Sequence, residues 1–232
     1  MTAAPTPQVL CFDVFGTVVD WHGTIVKEMA HIAPQVDGSK FANAWRQGYA
    51  PAMKATMDSG QWRLLDELHM DILKSICPQF GLDLTAEQLD HLNHVWHRLD
   101  AWPDSSTALK RLKTKFTLSP LSNGSIGLLT HMAKRADLNW DVILCSEVFK
   151  AYKPDPRTYN GVGKVLEVPN DRVMMIAAHH SDLDAAQDCG LQTAYIERPT
   201  EYGADNIKDV TPQPRHPLHF RNLGEVADYF GC

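Results

Sequence analysis

One aspartate in this sequence stands where a reactive carboxylate is expected. The apolar segment Val9-Leu10-Cys11-Phe12 leads into Asp13 and then into a turn with Gly16 and Thr17. A glycine turn lets the backbone approach a ligand closely, and an ionised carboxylate can attack a substrate to form an ester. The same pattern is also typical of an aspartate that only closes a turn or caps a helix. This segment alone leaves both interpretations open.

The elements that would position Asp13 are short apolar segments, four of them clear and a fifth interrupted by Pro120. They comprise residues 9–12, 116–121, 142–145, 173–178 and 193–196. They are rich in β-branched and aromatic residues and alternate with helix-like patterns, which is typical of a parallel sheet. Pro120 fits a central strand badly because it cannot donate a hydrogen bond. We predict an α/β fold: a Rossmann-like parallel sheet with helices on both faces.

The first strand is followed by a long segment of different character. Between residues 21 and 100 the apolar residues recur at helical spacing, and Pro34, Gly38, Gly60 and Pro78 divide the segment into roughly four helices. We therefore predict a core domain of residues 1–20 and 101–232 and a helical cap of residues 21–100. A loop at residues 211–217 and a last helix near residues 223–230 complete the core. An insertion at this place would form a lid over the ligand edge of the sheet.

Polar residues follow several of the predicted strands. Parallel α/β sheets bind ligands beyond the carboxyl ends of their strands. The residues at those ends are Asp13, Ser122-Asn123, Ser146-Glu147 and the segment from His179 to Asp182. We expect the functional site at this edge.

Composition excludes several classes of protein. The 232 residues carry a formal net charge of −6, whereas nucleic-acid-binding surfaces are basic. No apolar run approaches the about 20 residues of a membrane span, and residues 1–8 lack the features of a signal peptide. The five cysteines are scattered without CxxC spacing, which is typical of reduced thiols. We expect a cytoplasmic protein with neither a nucleic-acid nor a membrane partner.

Four segments, taken in order, resemble the haloacid dehalogenase superfamily. They are Asp13-x-x-Gly16-Thr17, Leu121-Ser122-Asn123-Gly124, Tyr152-Lys153-Pro154-Asp155-Pro156 and Ala177-Ala178-His179-His180-Ser181-Asp182. Together with the residues that follow the last of them, they span residues 9–199. The resemblance therefore covers most of the chain.

Two departures from the superfamily pattern point to one branch. Phosphatases of the superfamily carry a general-acid aspartate where this chain has Phe15, which cannot transfer a proton. They also keep an acidic metal ligand where this chain has Ala178, and Mg²⁺ needs several oxygen ligands. The rest of the motif pattern is similar to that of the L-2-haloacid dehalogenase branch, in which no metal and no organic cofactor take part. Its members are often homodimers.

The resemblance implies a role for each candidate site residue. Asp13 would be the nucleophile, Lys153 would hold it ionised, and Arg46 in the cap would help to bind the halide with Asn123 and Phe15. Ser122 would donate to the substrate carboxylate. Ser122 and Asn123 are equally typical of helix caps.

The remaining candidates surround the nucleophile. Thr17 would orient Asp13, and Asp182 would organise Lys153 and the hydrolytic water. Tyr159 would either hydrogen-bond within the site or pack as a helix residue. The branch usually has Ser and Asn where this chain has Ala177 and His179, so His179 is either a hydrogen-bond partner or general base, or a strand-end histidine without a catalytic role.

The implied activity is hydrolysis of small 2-haloalkanoic acids, with chloride, bromide or fluoride as the leaving group. The product would be a 2-hydroxy acid, formed through an ester on Asp13. Two alternatives stay open at this point. They are a metal-dependent phosphatase or phosphonatase of the same superfamily and a non-catalytic relative that binds a small acid.

Overall fold

The computed structural model describes residues 5–232, and it contains a six-stranded parallel sheet in the order β5-β4-β1-β6-β7-β8. The first four residues of the predicted core domain lie outside the described residues. The sheet strands are β1 Val9–Phe12, β4 Thr117–Ser122, β5 Leu144–Cys145, β6 Val173–Ala177, β7 Gln192–Ile196 and β8 His219–Phe220. The helices after residue 101 are α6 Ser105–Leu112, α7 Ile126–Ala136, α8 Ser146–Phe149, α9 Pro156–Leu166, α10 His180–Asp188 and α11 Leu223–Tyr229.

Alternate residues of β1 face opposite sides of the sheet, and helices cover both sides. Leu10 and Phe12 belong to one buried cluster with residues of α6, α7 and α11. Val9 and Cys11 belong to a second cluster with residues of α9 and α10. A strand buried on both faces reads as a continuous apolar run, which is the reason why β1 could be predicted from the sequence. The predicted fold class is confirmed.

Pro120 lies inside β4, between β1 and β5, without breaking the sheet. The N–H and C=O of Leu118 face the β5 side, where they bond to the chain at Asp141 and Val142. The backbone N–H and C=O groups of alternate strand residues point to the same side. Pro120, which has no N–H, comes two residues after Leu118 and therefore also faces β5. Pairing with β5 begins only at Leu121, one residue later. The proline therefore removes no ladder bond.

The segment between β1 and β4 is mostly helical. A short antiparallel pair, β2 Val19–Asp20 and β3 Asp100–Ala101, joins its two ends. Against the roughly four helices predicted, five α-helices lie between them, together with two short 3-10 helices: α1 Trp21–Ile32, α2 Gly38–Gln47, α3 Tyr49–Ser59, α4 Leu65–Ile76 and α5 Ala86–Asn93. We call residues 21–99 the cap helices.

Hydrogen bonds between the two parts of the chain help to fix the cap helices over the carboxyl edge of the sheet. Ser125 donates to Asp66 over 2.7 Å, and the Tyr152 hydroxyl donates to the carbonyl of Arg63 over 2.8 Å. Asn43 donates to the carbonyl of Tyr202 over 3.2 Å. The cavity described below lies between α2 and α3 on the cap side and the strand-end loops, α9 and α10 on the sheet side.

Among the described residues, no helix combines the length and apolar character that crossing a bilayer requires.

Candidate active site

A cavity of about 230 Å³ lies at the carboxyl edge of the sheet. It is smaller than the about 300–1,000 Å³ typical of sites for drug-sized ligands, so its size suits a substrate of a few carbons. Eight of the ten predicted site residues line it: Asp13, Phe15, Arg46, Asn123, Lys153, Tyr159, His179 and Asp182. The other two, Thr17 and Ser122, lie behind its wall.

Asp13 extends from the end of β1 and is nearly enclosed. Lys153 Nζ donates to its Oδ1 over 3.0 Å, and Thr17 Oγ1 donates to its Oδ2 over 2.9 Å. His179 Nδ1 lies 3.0 Å from the same Oδ2. Burial by itself raises the pKa of Asp13, but the Lys153 charge and the His179 hydrogen bond outweigh it and hold this pKa well below its usual range. The carboxylate is thus ionised and held in one orientation.

Lys153 connects two carboxylates. Besides Asp13 it binds Asp182, which lies in the first turn of α10, and Asp182 also accepts the Tyr159 hydroxyl over 2.6 Å. Burial opposes the charge of Lys153, yet the two carboxylates raise its pKa above the usual range. Burial and the charge of Asp13 raise the pKa of Asp182. Tyr159 therefore belongs to the site and not only to helix packing.

Thr17 connects the residues that follow two neighbouring strands, β1 and β6. Its hydroxyl donates to Asp13 and accepts the backbone N–H of Ala178 over 2.9 Å. Ala178 stands where the superfamily's phosphatases place a carboxylate. Here its contribution is this backbone N–H, together with a carbonyl that accepts from Lys208.

His179 bridges Asp13 to a carboxylate that the sequence analysis missed. Its Nε2 lies 2.9 Å from Oε1 of Glu201, whose side chain is fully buried. Glu201 also binds Lys208 over 2.6 Å and accepts from Trp21 Nε1 over 3.3 Å. The imidazole is thus held between two carboxylates, and its catalytic role stays a prediction.

The charges around His179 set its protonation state. Burial disfavours the imidazolium, but the charge of Glu201 and hydrogen bonds to Asp13 and Glu201 raise the pKa of His179 to about 9. Burial also opposes the charge of Glu201, yet His179 and Lys208 lower its pKa to about 2. The resulting network has equal numbers of acidic and basic side chains: Asp13, Asp182 and Glu201 against Lys153, His179 and Lys208.

This network predicts a pH dependence of stability. Because the pKa of His179 is raised in the folded protein, its protonated form adds to the free energy of unfolding. This contribution is complete below about pH 6.5 and disappears as the pH rises through about 9. The lowered pKa of Glu201 stabilises the fold above about pH 4.5, and that contribution disappears as the pH falls towards 2. We expect the thermal midpoint to fall between pH 6.5 and 9, and to fall less in His179→Gln. An equal decline in both proteins, measured by calorimetry, would contradict the assignment.

Arg46 brings a cation from the cap into the same cavity. Its guanidinium carbon lies 4.1 Å from the ring centroid of Tyr49 and 5.9 Å from that of Trp21. Its buried Nε has no hydrogen-bond partner among residues 5–232. A cation stacked on aromatic rings and left without an acidic partner can bind an anionic group of a ligand.

Phe15 and Asn123 complete the polar and aromatic lining. The Phe15 ring packs edge-on against Trp96 and Tyr49, at centroid distances of 5.6 and 6.3 Å. Asn123 accepts the backbone N–H of Lys153 at its Oδ1 over 2.7 Å, which fixes the position of its amide. Phe15 therefore offers a ring edge where a phosphatase offers a carboxylate.

Ser122 lies at the end of β4, is 1% exposed and accepts the N–H of Gly124 over 3.2 Å. Its predicted contact with a substrate carboxylate stays a prediction, because the hydroxyl does not line the cavity. The cavity lining also contains residues to which the sequence analysis gave no role in the site: Tyr49, Ala50, Met53, Pro154 and Ser181. The helical periodicity of the cap predicts buried faces but not which of their residues border a ligand.

Comparison with known proteins agrees with this geometry. Residues 7–190 match the model of the haloacid dehalogenase-like hydrolase family. The chain belongs to this family. It is 25% identical to (S)-2-haloacid dehalogenase H-109 of Pseudomonas putida, with 95% of this chain and 96% of the relative covered.

Two solved structures place the chain in the L-2-haloacid dehalogenase branch. The L-2-haloacid dehalogenase PA0810 is 37% identical with a TM-score of 0.91, covering 97% of this chain and 100% of the other. The defluorinating L-2-haloacid dehalogenase Rha0230 is 37% identical with a TM-score of 0.92, covering 97% and 96%. The predicted resemblance is confirmed.

Proposed function

We propose that this protein hydrolyses the carbon–halogen bond of small 2-haloalkanoic acids and releases 2-hydroxy acids. One observation supports this most strongly. An ionised, oriented carboxylate shares a small cavity with Arg46, whose buried Nε has no hydrogen-bond partner in the described part of the chain, and the position that would hold a phosphatase's proton donor is Phe15. Halide is a stable anion that leaves without a proton, so its displacement needs a nucleophile and a site for the departing charge.

In the first step, Asp13 forms a new bond to C2 of the substrate as the carbon–halogen bond breaks. The electron pair of that bond leaves with the halide. Arg46 and the Asn123 amide line the cavity where this anion forms. Because Lys153, Thr17 and His179 all contact the carboxylate, Asp13 is already oriented when the substrate arrives. The product of this step is an alkyl ester of Asp13.

In the second step, water attacks the ester carbonyl carbon of Asp13. Esterification removes the negative charge of Asp13, so His179 loses one of the two carboxylates that favour its protonated form. The pKa of His179 therefore falls, the imidazole gives its proton to solvent, and Nδ1 can then accept one proton from the attacking water. This proton passes to the alkoxide of the 2-hydroxy acid as the acyl C–O bond breaks. The second proton of the water passes from the new Asp13 carboxyl group to His179, which restores the carboxylate and the imidazolium. Glu201 and Lys208 hold the ring in place.

The experiment that tests this function follows halide release by protein in excess EDTA. We expect chloride from chloroacetate and from one enantiomer only of 2-chloropropionate, and fluoride from fluoroacetate at a lower rate because fluoride leaves poorly. A 37% identical relative described as defluorinating supports the inclusion of fluoride. Hydrolysis of an aryl phosphate that requires Mg²⁺, without halide release, would instead support the phosphatase alternative. Binding of haloacids without release would support the non-catalytic one.

Met53 and Ala50 on α3 give the cavity its apolar side. We expect Met53→Ala to raise kcat/KM for 2-chlorobutanoate relative to 2-chloropropionate by about tenfold, because a pocket discriminates one methylene by roughly 1–3 kcal/mol. Met57→Ala, on the same helix but outside this cavity, is the matched control. An unchanged ratio in Met53→Ala would show that this side chain does not limit substrate length.

We also propose a cellular location, a class of partner and an oligomeric state for the enzyme. We propose a cytoplasmic enzyme that acts on a small-molecule substrate, has no nucleic-acid or membrane partner and forms a homodimer.

A further inference from the structure

A second cavity of about 550 Å³ adjoins the active site. Its lining comes from α2 in the cap helices and from the loop after β7: Asn43, Arg46, Gln47, Tyr202, Asn206 and Lys208. Arg46 and Ala50 line this cavity and the catalytic one alike. We call this second cavity the α2 cleft.

The chemistry of the α2 cleft favours a small anion. No Asp or Glu is among its described lining residues, although the whole chain carries a net charge of −6. The buried Nε of Arg46 has no hydrogen-bond partner among residues 5–232, and the side-chain amides of Gln47 and Asn206 carry further N–H donors. The charge of Lys208 is largely balanced by the buried Glu201. Arg46 is therefore the cation that makes the cleft attractive to anions.

The proposed reaction produces such an anion next to Arg46. Backside displacement places the halide on the far side of C2 from Asp13, while the remaining alkyl group stays attached to Asp13 as the ester. The ester then occupies the catalytic cavity when the halide has to leave. Since Arg46 lines both cavities, a halide in either cavity lies next to the same arginine. A route through the α2 cleft avoids the esterified substrate.

We propose that the α2 cleft is a halide-binding site through which the leaving ion is released. This inference rests on the proposed function, because it names where the product of the first step goes. It makes one distinctive prediction: the cleft binds halide while the catalytic cavity is occupied. Bromide should therefore lower kcat as well as raise KM. An ion that binds only in the catalytic cavity would compete with substrate and raise KM alone.

The test uses bromide inhibition of 2-chloropropionate turnover at low, constant ionic strength. Asn206→Asp and Gln47→Glu each place a negative charge in the cleft, and both side chains are exposed. We expect either variant to weaken the effect of bromide on kcat by about 3- to 10-fold through charge repulsion. The matched control is Gln213→Glu, an exposed glutamine that lines neither cavity. Its bromide inhibition should equal that of the wild type.

Three outcomes decide the proposal. Inhibition of kcat that weakens in the two cleft variants and not in the control supports it. Purely competitive bromide inhibition, equal in all four proteins, would overturn it. Inhibition of kcat by acetate but not by bromide would also overturn it, since the cleft would then be a site for the substrate carboxylate.

A second measurement separates this inference from the proposed function. Crystals of the wild type and of Asn206→Asp are soaked in bromide, and anomalous scattering locates the ion. We expect a bromide peak between Arg46 and Asn206 in the wild type that is lost in the variant. Bromide bound there in a protein that releases no halide from any haloacid would refute the proposed function alone. An empty cleft in an active enzyme would refute only the release route.

Discussion

Asp13→Asn is expected to lower kcat for 2-chloropropionate by about 10⁴-fold or more, as loss of a covalent nucleophile does. An amide has the shape of the carboxylate but is a far weaker nucleophile. The fold should persist, because Lys153 keeps Asp182 and His179 keeps Glu201 as partners. Halide release, measured under saturating substrate, is the readout. Asp58→Asn, an exposed aspartate outside the cavity, is the matched control and should retain full activity.

The same variant also imitates the ester, because both carry no charge at position 13. The pKa of His179 should therefore fall below its wild-type value of about 9 in Asp13→Asn. Histidine ring signals followed by NMR across pH 5–10 measure this directly, with His179→Gln to assign the resonance. An unchanged pKa of His179 would remove the basis for its activation by ester formation. Near-normal halide release by Asp13→Asn would exclude the covalent step altogether.

His179→Gln is expected to separate the two steps of the reaction. The ester should still form, since Lys153, Thr17 and Arg46 are untouched, but its hydrolysis should slow by about 10²–10⁴-fold without the base. The enzyme would release about one equivalent of halide per active site and then nearly stop. Rapid-quench measurement of halide, together with the intact mass of the protein, records both the burst and the trapped ester.

The neighbouring histidine provides the control for this variant. His180 stacks on Tyr195 at a centroid distance of 4.1 Å, and neither of its ring nitrogens has a hydrogen-bond partner among the described residues. His180→Gln should keep steady turnover without a burst. If His179→Gln instead lost the burst as well, the histidine would be needed for displacement, and its assignment to ester hydrolysis would be wrong.

Much of the site could be predicted because parallel strands end together. Asp13, Asn123 and the segment around His179 come directly after β1, β4 and β6, which are adjacent in the sheet. Apolar strands followed by polar residues are visible in the sequence without any structure. The order of the four segments then favoured one superfamily, and Phe15 and Ala178 favoured one branch.

Glu201 and Lys208 could not be predicted in the same way. They lie in the irregular loop after β7, where no periodic pattern indicates which side chains point inward. Glu201 contacts His179, which follows the neighbouring strand β6 but lies 22 residues away in sequence. One signal was available: Glu201 follows the carboxyl end of a predicted strand by only five residues. A carboxylate at that edge of the sheet is a candidate partner for a histidine at the same edge.

Arg46 shows a different limit of sequence reasoning. Helical spacing placed it on a cap helix, but a lone arginine on a helix is usually solvated. Only the packing of α2 against Tyr49 and Trp21 leaves its Nε buried and without a partner. The cleft beyond it depends on how this helix meets the loop after β7, and that contact joins segments about 160 residues apart.

The central claim is that Asp13 becomes an ester and that water attacks its acyl carbon. The most direct test is a single turnover of excess enzyme with 2-chloropropionate in H₂¹⁸O, followed by proteolysis and mass spectrometry of the peptide that contains Asp13. We predict one ¹⁸O atom in the Asp13 carboxylate and unlabelled 2-hydroxypropionate as the product. Label in the product and none in Asp13 would show that water displaces the halide directly, and it would contradict the account.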